Sequence, residues 1–591
     1  MKRSMIFQML SGLTHGNAHA KLHSVKINKH LLMKTTLYTL LWATCLFAGS
    51  CKKEDFLNRV PPYAFSEETY FKSETDLKLY ANQFYTSLPV EFSSNDNMSD
   101  NMVPNSINTF LAGTYTIPAT GGGWAAGDWT GIRSCNFFLA RNMNADLSEA
   151  IRNKYNAEVR FFRALFYWQK VIRFGAVPIY KTDLNEKSPE LMNPRNPHKE
   201  VMDFVLEDLN FAVDNLGDPS AENRLHKFAA LALKSRICLW EGTFRKYHAL
   251  GDETVFLKAA ADAALAIINS GKYMVYATGN TDVDYKNLFL QGDLSNNNEA
   301  ILSRIYITNI STTNFTRQIG EAGTGFSKDF VRAYLCKDGK PFALSALYAG
   351  DDTPENEAKD RDPRYKQTIA TPDYVMTQNP DGSQVILPRP NINSSATSTG
   401  YQIIKGRSSD PALFSANQDN IDRFVFRYAE VLLNYAEAKA ELGELNQSVI
   451  DQTIKPLRSR VGMPNLDLAT LVQDPNTNYP AVSLPLQEIR RERRIELAGD
   501  GFRYNDLLRW KAGKLLENPF VILGMKLTPA YKATYPASQG VNNLPLTSEG
   551  YIRVYSNRTN FVWNDKMYLY PLPTNEFTLN PNLKPQNPGW E

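Results

Sequence analysis

The chain has 591 residues, and its 65 lysines and arginines against 62 aspartates and glutamates give a net charge of +3. Six of the basic residues and no acidic residue fall within positions 1–50, so the rest of the chain carries 59 basic against 62 acidic residues, or −3. A nearly neutral body lacks the positive surface that binds a phosphate backbone, which disfavours a nucleic-acid partner. Four of the seven histidines also fall in the first 50 positions, which disfavours catalysis or metal binding by several imidazoles.

The five cysteines do not have the spacing of a metal site or of a disulfide framework. They stand at positions 45, 51, 135, 238 and 336, and no two form a Cys-x-x-Cys pair. Zinc sites and thiol redox motifs generally need such closely spaced cysteines. We therefore predict no metal site and no cofactor.

Residues 33–51 have the order of a bacterial export signal. A short charged segment begins at Met33, an apolar stretch covers residues 37–48, and small residues directly precede Cys51. The apolar stretch is shorter than the ~20 residues of a membrane-spanning helix. Small residues before a cysteine resemble the lipobox of bacterial lipoproteins, which implies cleavage before Cys51 and acylation of its thiol. An ordinary signal peptide with an incidental cysteine is the alternative.

The mature chain begins with a helix signal and continues with helical periodicity. Ser73 and Asp76 have the spacing of a capping box, so a helix is predicted to begin there. Apolar residues then recur at helical spacing in five further segments, where small alanines allow neighbouring helices to approach closely. These predicted helices are Asn153 to Phe174, Leu225 to Tyr247, Phe256 to Asn269, Arg427 to Leu442 and Pro485 to Ala498.

The remaining segments are predicted as loops with a few short strands. Glycine, serine, asparagine and proline are frequent in four of them, which are predicted to be surface loops. They are residues 113–131, 280–298, 350–363 and 391–400. β-Branched residues in 293–319 favour short strands there. Because the helix pairs lack the 34-residue period of tetratricopeptide repeats (TPR), we predict a mainly α fold of irregular TPR-like helix pairs in a superhelical scaffold with long loop-rich insertions.

Composition divides the chain into four predicted regions. Residues 1–50 comprise an upstream extension and the signal peptide, with Met33 as a candidate for the true translation start. Residues 51–275 are a first helical region, and residues 276–423 are a loop-rich insertion region. Residues 424–591 are a second helical region that ends in a packed tail.

No signature of a common enzyme class is present. The phosphate-binding loop, the His-Glu-x-x-His zinc motif, the Gly-x-Ser-x-Gly elbow and the dinucleotide fingerprint are all missing from the sequence. A glycoside hydrolase that uses two carboxylates leaves no fixed sequence spacing, so this class stays open as an alternative. We predict a protein that is not an enzyme.

Residues 488–510 have the highest density of charge in the chain. Arginines and acidic residues alternate there at the distances of helical neighbours, so that their charges largely cancel. The segment therefore predicts a packed helix held by arginine–carboxylate pairs, and not a nucleic-acid patch.

Several motifs, in order along the chain, resemble the SusD/RagB family of outer-membrane nutrient-uptake lipoproteins. Residues 488–510 resemble its helix rich in glutamate and arginine, followed by a glycine, an arginine, an Asp-Leu and an Arg-Trp. Family members usually have glutamate at the position of Asp500 and often histidine at that of Phe502, and both departures lie in this packing motif. The other matching motifs are Glu158 to Trp168, Phe174 to Pro178, Asp360 to Arg364, Arg427 to Ala438, Tyr568 to Pro573 and Gln586 to Trp590.

This resemblance implies a function at the cell surface. A SusD-like protein is a helical, TPR-like lipoprotein, here anchored through Cys51 to the outer membrane and facing the cell exterior. It binds a glycan or oligosaccharide, delivers it to a SusC-like TonB-dependent transporter, and opens like a lid over that partner. A TPR-like scaffold for peptides is a further alternative.

Two segments supply candidates for ligand binding. Trp124 and Trp129 lie in a glycine-rich segment, where a ring can stack on a sugar, although the two rings can instead fix this segment to the helices. In family members the polar segment after the first helix lies near the glycan, and its amides and carboxylates suit sugar hydroxyls. A calcium loop is the alternative for these oxygens, although the EF-hand spacing is absent. The predicted ligand-binding residues are Asp96, Asn97, Asp100, Asn101, Trp124 and Trp129.

Overall fold

The structure, a computed structural model, describes residues 71–90, 94–143, 146–220 and 222–591. The predicted export signal, the predicted upstream extension and the predicted lipidation site at Cys51 lie outside the described residues. Within the described ranges, no helix has both the length and the apolar character needed to cross a membrane.

Helices form the framework of the described chain. In chain order they are α1 (Glu74–Asn82), α2 (Ala126–Arg141), α3 (Glu149–Phe174), α4 (His198–Asn215), α5 (Lys227–Tyr247), α6 (Glu253–Asn269), α7 (Asp284–Leu288), α8 (Phe315–Gly320), α9 (Lys328–Ala333), α10 (Pro354–Ala358), α11 (Arg364–Thr368), α12 (Pro411–Phe414), α13 (Tyr428–Glu441), α14 (Gln447–Arg460), α15 (Leu484–Glu496), α16 (Arg503–Arg509), α17 (Pro529–Lys532) and α18 (Glu576–Leu579). The prediction of a mainly α-helical fold is confirmed, while the TPR-like detail of its helix pairs stays a prediction.

The ends of the predicted helices agree with local sequence signals. The Ser73 side chain accepts from the Asp76 N–H, and the Asp76 carboxylate accepts from the Ser73 N–H at 2.8 Å, so the predicted capping box of α1 is confirmed. Helix α3 ends at Gly175, whose φ of 70° lies in the left-handed region that glycine adopts without strain.

The helices pack as neighbouring pairs. Helix α3 packs on α4, α5 packs on α4 and α6, and α13 packs on α6, α14 and α15. Gly242 marks the closest approach of α5 to α6, because a Cβ there would lie 2.8 Å from the Leu257 side chain and 2.9 Å from its backbone nitrogen. A small residue at this point therefore allows the two backbones to approach.

Short strands connect distant parts of the chain. They are β1 (Met102–Pro104), β2 (Ala300–Arg304), β3 (Thr324–Phe326), β4 (Tyr374–Gln378), β5 (Gln384–Leu387), β6 (Arg423–Arg427), β7 (Leu523–Lys526) and β8 (Tyr551–Arg553). All pairings are antiparallel: β1 with β3, β2 with β6, β4 with β5, and β7 with β8. Strand β2 confirms the expectation of strand structure in residues 293–319. The predicted boundaries at residues 275 and 423 stay predictions.

Buried apolar clusters join these elements. One cluster includes Phe326, Phe330 and Ile495, and so connects β3 and α9 to α15. A second includes Leu507, Trp563 and Trp590, which places the last motif of the chain in the core. The end of the chain is therefore packed against the helical framework at Trp590.

Some predicted loops contain regular structure. Residues 126–131 begin helix α2, residues 284–288 form α7, and residues 354–358 form α10, so the loop prediction is wrong for these parts. Within 391–400, Thr397 and Thr399 are buried, so this segment is not wholly a surface loop.

Candidate functional site

The charge-dense segment 488–510 forms α15 and α16, and most of its charged side chains are buried. The Glu496 carboxylate accepts hydrogen bonds from Arg460 at 2.6 Å, Arg427 at 2.7 Å and Arg364 at 3.1 Å. Burial alone would raise the pKa of Glu496, but the three guanidiniums hold it far below its usual range. The predicted packed helix with arginine–carboxylate pairs is confirmed.

Two of the predicted ligand residues belong to this buried network. The Asp100 carboxylate accepts two hydrogen bonds of 2.7 Å from Arg503, and the Asn101 Oδ1 accepts from the Arg494 Nε at 2.8 Å. Asp100 and Asn101 are 0% and 1% exposed. Burial by itself would raise the pKa of Asp100, but the Arg494 and Arg503 guanidiniums lower it instead.

Asp96 is also fully buried, but it faces backbone groups. Its carboxylate accepts from the Gly499 N–H at 2.9 Å and from the Arg503 N–H at 3.3 Å. Burial, together with the nearby Asp500 carboxylate, raises the pKa of Asp96 to about 7. In this structure the buried side chains of Asp96, Asp100 and Asn101 fix residues 94–101 to α15 and to the residues that follow it up to Arg503. Ligand contact by these three residues stays a prediction.

Asn97 differs from these neighbours, because it is only half-buried. Its Oδ1 accepts a hydrogen bond from the Thr324 hydroxyl at 3.2 Å, beside strand β3. Its amide nitrogen has no hydrogen-bond partner among the residues that the structure describes. Asn97 therefore stays a predicted ligand residue.

The two tryptophans of the glycine-rich segment lie together at the start of α2. Their ring centroids are 5.2 Å apart, and Trp124 is buried against the Phe174 ring at 4.9 Å. Trp129 is half-buried, and the Lys170 ammonium lies 4.6 Å from its ring centroid. Trp124 thus holds the segment against α3, while Trp129 keeps part of its ring open to solvent.

A groove of about 350 Å³ lies between the start of α2 and the last turns of α3; we call it the α2–α3 groove. Lys170, which contacts the Trp129 ring, is one of its lining residues. A Cβ on Gly131 would lie 2.7 Å from the Phe166 ring, so glycine allows the two helices to approach here, whereas a Cβ on Gly127 would meet nothing within 4 Å. The groove is lined by Ser87, Gly123, Gly127, Asp128, Gly131, Phe166, Gln169, Lys170 and Arg173.

Two basic side chains of α3 hold the glycine-rich segment in place. The Lys170 ammonium donates to the Gly123 carbonyl at 2.6 Å, and the Arg173 Nε donates to the Gly122 carbonyl at 2.8 Å. Burial lowers the pKa of Lys170 to about 8; Asp128 opposes this shift and Arg173 adds to it. The Lys170 ammonium thus gives the groove a positive charge, and it loses its proton in a mildly alkaline pH range.

A second cavity opens on the other side of Gln169, which lines both spaces. This α3–β6 cavity measures about 240 Å³. Trp168 lines it, is 7% exposed, and its Nε1 has no hydrogen-bond partner among the described residues. Phe502, Asn505 and the bidentate pair of Arg236 with Glu430, at 2.6 and 2.7 Å, also line it.

The side chains along this side of α3 are of the kinds that bind sugars. Aromatic rings, an exposed glutamine amide and an ammonium group are the groups that stack on sugar rings and bond their hydroxyls. In the described ranges, no group of three or more His, Cys, Asp or Glu side chains has an arrangement that holds a metal ion. Sequence analysis assigned Trp168 only to a helix and did not single out Gln169 or Lys170, because helical periodicity does not show which positions border a cavity.

Comparisons with known proteins agree with the resemblance found in the sequence. The model of the SusD family matches residues 289–590. The SusD-like protein P2 of Formosa agariphila is 26% identical over 462 residues, which cover 76% of this chain and 77% of that protein.

Two solved structures from Bacteroides fragilis share the fold. A SusD-like protein has a TM-score of 0.68 at 24% identity, covering 89% of this chain and 98% of its own. A SusD-like carbohydrate-binding protein has a TM-score of 0.67 at 23% identity, covering 87% of this chain and all of its own. The family match spans 302 of 591 residues, just over half of the chain, and includes α13, α15 and α16, three of the helices that the resemblance rested on. The chain therefore belongs to the SusD family.

Proposed function

We propose that this protein is a surface-exposed lipoprotein that binds a glycan or oligosaccharide and delivers it to a SusC-like TonB-dependent transporter, without cleaving it. The observation that carries the binding step is the α2–α3 groove, which is lined by the exposed Gln169 and by Lys170, whose ammonium lies 4.6 Å from the centroid of the half-buried Trp129 ring. The similarity to a carbohydrate-binding protein of the same fold supports this ligand class.

The groove and the Trp129 ring next to its Lys170 offer distinct contacts to a sugar. The open part of the Trp129 ring supplies an apolar face for the C–H groups of a pyranose. Gln169 is exposed and supplies both a donor and an acceptor for hydroxyl groups. Because Gln169 also borders the α3–β6 cavity, a ligand of two or more sugar units has contacts available on both sides of this residue. Asn97 and Trp124 are retained as proposed contributors, with Trp124 supporting the Trp129 ring.

Anchoring and delivery follow from the sequence and the family. A lipid on Cys51 would keep the protein at the outer membrane, and a binder outside the membrane needs a separate chain to move its ligand across. Purification of the native protein in mild detergent, followed by mass spectrometry, tests the partnership. Recovery with a SusC-like transporter is expected, and recovery alone, under conditions that preserve other outer-membrane complexes, contradicts it.

Binding is tested with a glycan array, followed by calorimetry on the best ligand. Trp129→Ala is expected to weaken binding at least about tenfold, because stacking on one exposed ring is lost. Phe414→Ala is the matched control, since this half-buried ring on α12 lies against Arg407 and not against a lining residue of the groove. An equal loss of glycan affinity in both variants contradicts the assignment of the glycan-binding site to this groove.

The same samples separate the alternatives. Incubation of the ligand with the protein is followed by chromatography of the sugar. Shortened products would favour the carboxylate-pair glycoside hydrolase. A protein that binds no glycan and binds a peptide tightly would favour the TPR-like scaffold. An intact ligand recovered after prolonged incubation is the result that we expect.

A further inference from the structure

A third cavity lies away from α3, against the buried face of α15. This α15 cavity measures about 260 Å³ and is bounded by α9, by the loop before α15 and by the segment before β7. It shares no lining residue with the α2–α3 groove or the α3–β6 cavity. Its lining residues are Asp329, Arg332, Ala333, Phe342, Asp474, Asn476, Thr477, Asn478, Tyr479, Gln487, Arg490, Arg491, Arg494, Asn518 and Phe520.

One wall of the α15 cavity is an ordered array of amide groups around a carboxylate. Asp329 is 6% exposed, and its carboxylate accepts from the Asn518 Nδ2 at 2.9 Å and the Asn478 Nδ2 at 3.2 Å. It also accepts from Arg494 at 2.8 Å. Since one carboxylate holds these side chains, their positions are set before any ligand arrives.

The arginines of α15 that line the cavity have carboxylate partners. Arg491 donates to Asp474 at 2.6 Å, and Arg490 donates to Glu441 at 3.2 Å. With Arg494 held by Asp329, each of these guanidiniums has a negative charge within hydrogen-bond distance. They therefore do not by themselves require an anion.

Arg332 is different. Its guanidinium lies 3.7 Å from the Phe520 ring centroid and 5.5 Å from that of Phe342, so it is stacked between apolar groups. No carboxylate among the described residues pairs with it, and the side chain is only half-buried. Aromatic contacts leave the hydrogen-bonding edge of a guanidinium unsatisfied, and a carboxylate or sulfate group matches that edge.

Hydroxyl-binding groups stand close to this unpaired charge. Asn476 is exposed at the mouth of the cavity, and its side-chain amide has no partner among the described residues. Thr477 and Tyr479 add hydroxyl groups to the lining. A ligand that carries hydroxyl groups and one negative charge on a small ring fits this set.

We propose that the α15 cavity is a second binding site, which takes one acidic sugar unit whose carboxylate or sulfate group pairs with Arg332. The choice of a sugar rests on the proposed function, whereas the requirement for negative charge rests on Arg332 alone. A cavity of this volume lies below the size that holds drug-sized ligands, so it accommodates a terminal or single sugar unit and not a long chain segment.

Titration of the full-length protein with sodium D-glucuronate, D-glucose 6-sulfate, D-glucose and sodium acetate, followed by saturation-transfer NMR, tests the proposal. At least one charged sugar is expected to bind more tightly than glucose and more tightly than acetate. The two charged sugars distinguish a carboxylate from a sulfate preference. If neither charged sugar binds, or if acetate binds as well as they do, the proposal is overturned.

Variants locate the binding. Arg332→Gln is expected to weaken charged-sugar binding at least about tenfold, because a charge-assisted contact is lost. Arg558→Gln removes an equal charge from a half-buried residue that lines no part of the cavity, and is expected to leave binding unchanged. Asn476→Asp places a negative charge at the exposed mouth of the cavity and replaces Arg332→Gln in this test if that variant does not fold. It is expected to weaken the binding of charged sugars and to leave the binding of neutral sugars unchanged. If folded Arg332→Gln or, in its place, Asn476→Asp binds the charged sugars as tightly as wild type does, the assignment of the α15 cavity is overturned.

The Trp129→Ala variant separates this site from the α2–α3 groove. Charged-sugar binding is expected to persist in Trp129→Ala while neutral glycan binding falls. If Trp129→Ala and Arg332→Gln both abolish charged-sugar binding, the ligand occupies the groove and the proposal for the α15 cavity fails. If only Arg332→Gln abolishes it, the cavity is supported even where no neutral glycan binds.

Discussion

Asp100 and Arg503 are joined by two hydrogen bonds of 2.7 Å, although 403 residues separate them in the chain. Both side chains are buried, at 0% and 3% exposure. Away from water, each charge depends on the other for its solvation. The segment before β1 and the segment that begins α16 are therefore held together by this pair, and Arg494 of α15 adds a second guanidinium 3.2 Å from Asp100.

Asp100→Asn is expected to lower the free energy of unfolding by on the order of 3–5 kcal/mol, because it leaves Arg503 buried without its charged partner. Urea unfolding followed by circular dichroism measures this loss. The matched control is Glu222→Gln, which breaks an exposed pair with Lys78 of 2.9 Å and is expected to leave stability nearly unchanged, because water screens the pair. Similar losses in the two variants would contradict the role of burial.

Protonation of Asp96 is expected to make stability depend on pH. Its pKa is about 7 in the folded protein against a usual value of 3.8, so between these values the folded chain holds a proton that the unfolded chain releases. This stabilisation is complete below the unfolded pKa and is lost as the pH rises through 7, a change of on the order of 3 kcal/mol between pH 5 and pH 8.

Asp96→Asn removes this titration while keeping a neutral side chain of the same shape. The stability of wild type relative to Asp96→Asn is expected to fall steadily from pH 5 to pH 8 in urea titrations. Other titrating groups affect both proteins alike and cancel in the difference. A difference that stays constant over this range would show that Asp96 is ionised throughout.

Gly242→Ala is expected to destabilise the protein by about 1–3 kcal/mol, although alanine favours helices. The added Cβ would lie 2.9 Å from the backbone nitrogen of Leu257, which cannot move without shifting α6. Gly127→Ala is the control, because its Cβ meets nothing within 4 Å and the change should be neutral or slightly stabilising. Thermal unfolding of both variants decides whether helix contact or helix propensity dominates.

Cys51 is expected to be the first residue of the mature protein and to carry lipid. Intact-mass measurement on protein extracted from outer membranes tests this directly. Cys51→Ser is expected to release the protein from the membrane fraction, because acyl chains contribute about 0.8 kcal/mol per buried CH₂ group to anchoring. An unmodified Cys51 with residues 1–50 still attached would refute the lipidation.

Sequence periodicity located the helices whose apolar stripes are regular, including α3, α5 and α13, and the capping box at Ser73 located the start of α1. It missed α2, α4 and α14. Helix α2 contains glycines near its start, and α14 contains Pro456, both of which weaken a helical signal even where packing stabilises the helix.

The site was harder to predict than the helices. Asp96 and Asp100 are polar residues next to one another in sequence, as in a solvent-exposed binding loop, and only their distant partners show that they are buried. A single sequence does not reveal partners 403 residues away. Trp129 was singled out because a glycine-rich segment can bring a ring to the surface, whereas Gln169 on a long helix gave no such signal, and both stay predicted ligand contacts.

The long separation between Asp100 and Arg503 has a consequence for biosynthesis. At 5 to 20 residues per second, a ribosome takes roughly 20 to 80 s to reach Arg503 after it has made Asp100. During that time residues 94–101 have none of the guanidinium or N–H groups that α15 and α16 later supply. Residues 94–101 therefore cannot complete their buried contacts until nearly the whole chain has been synthesised.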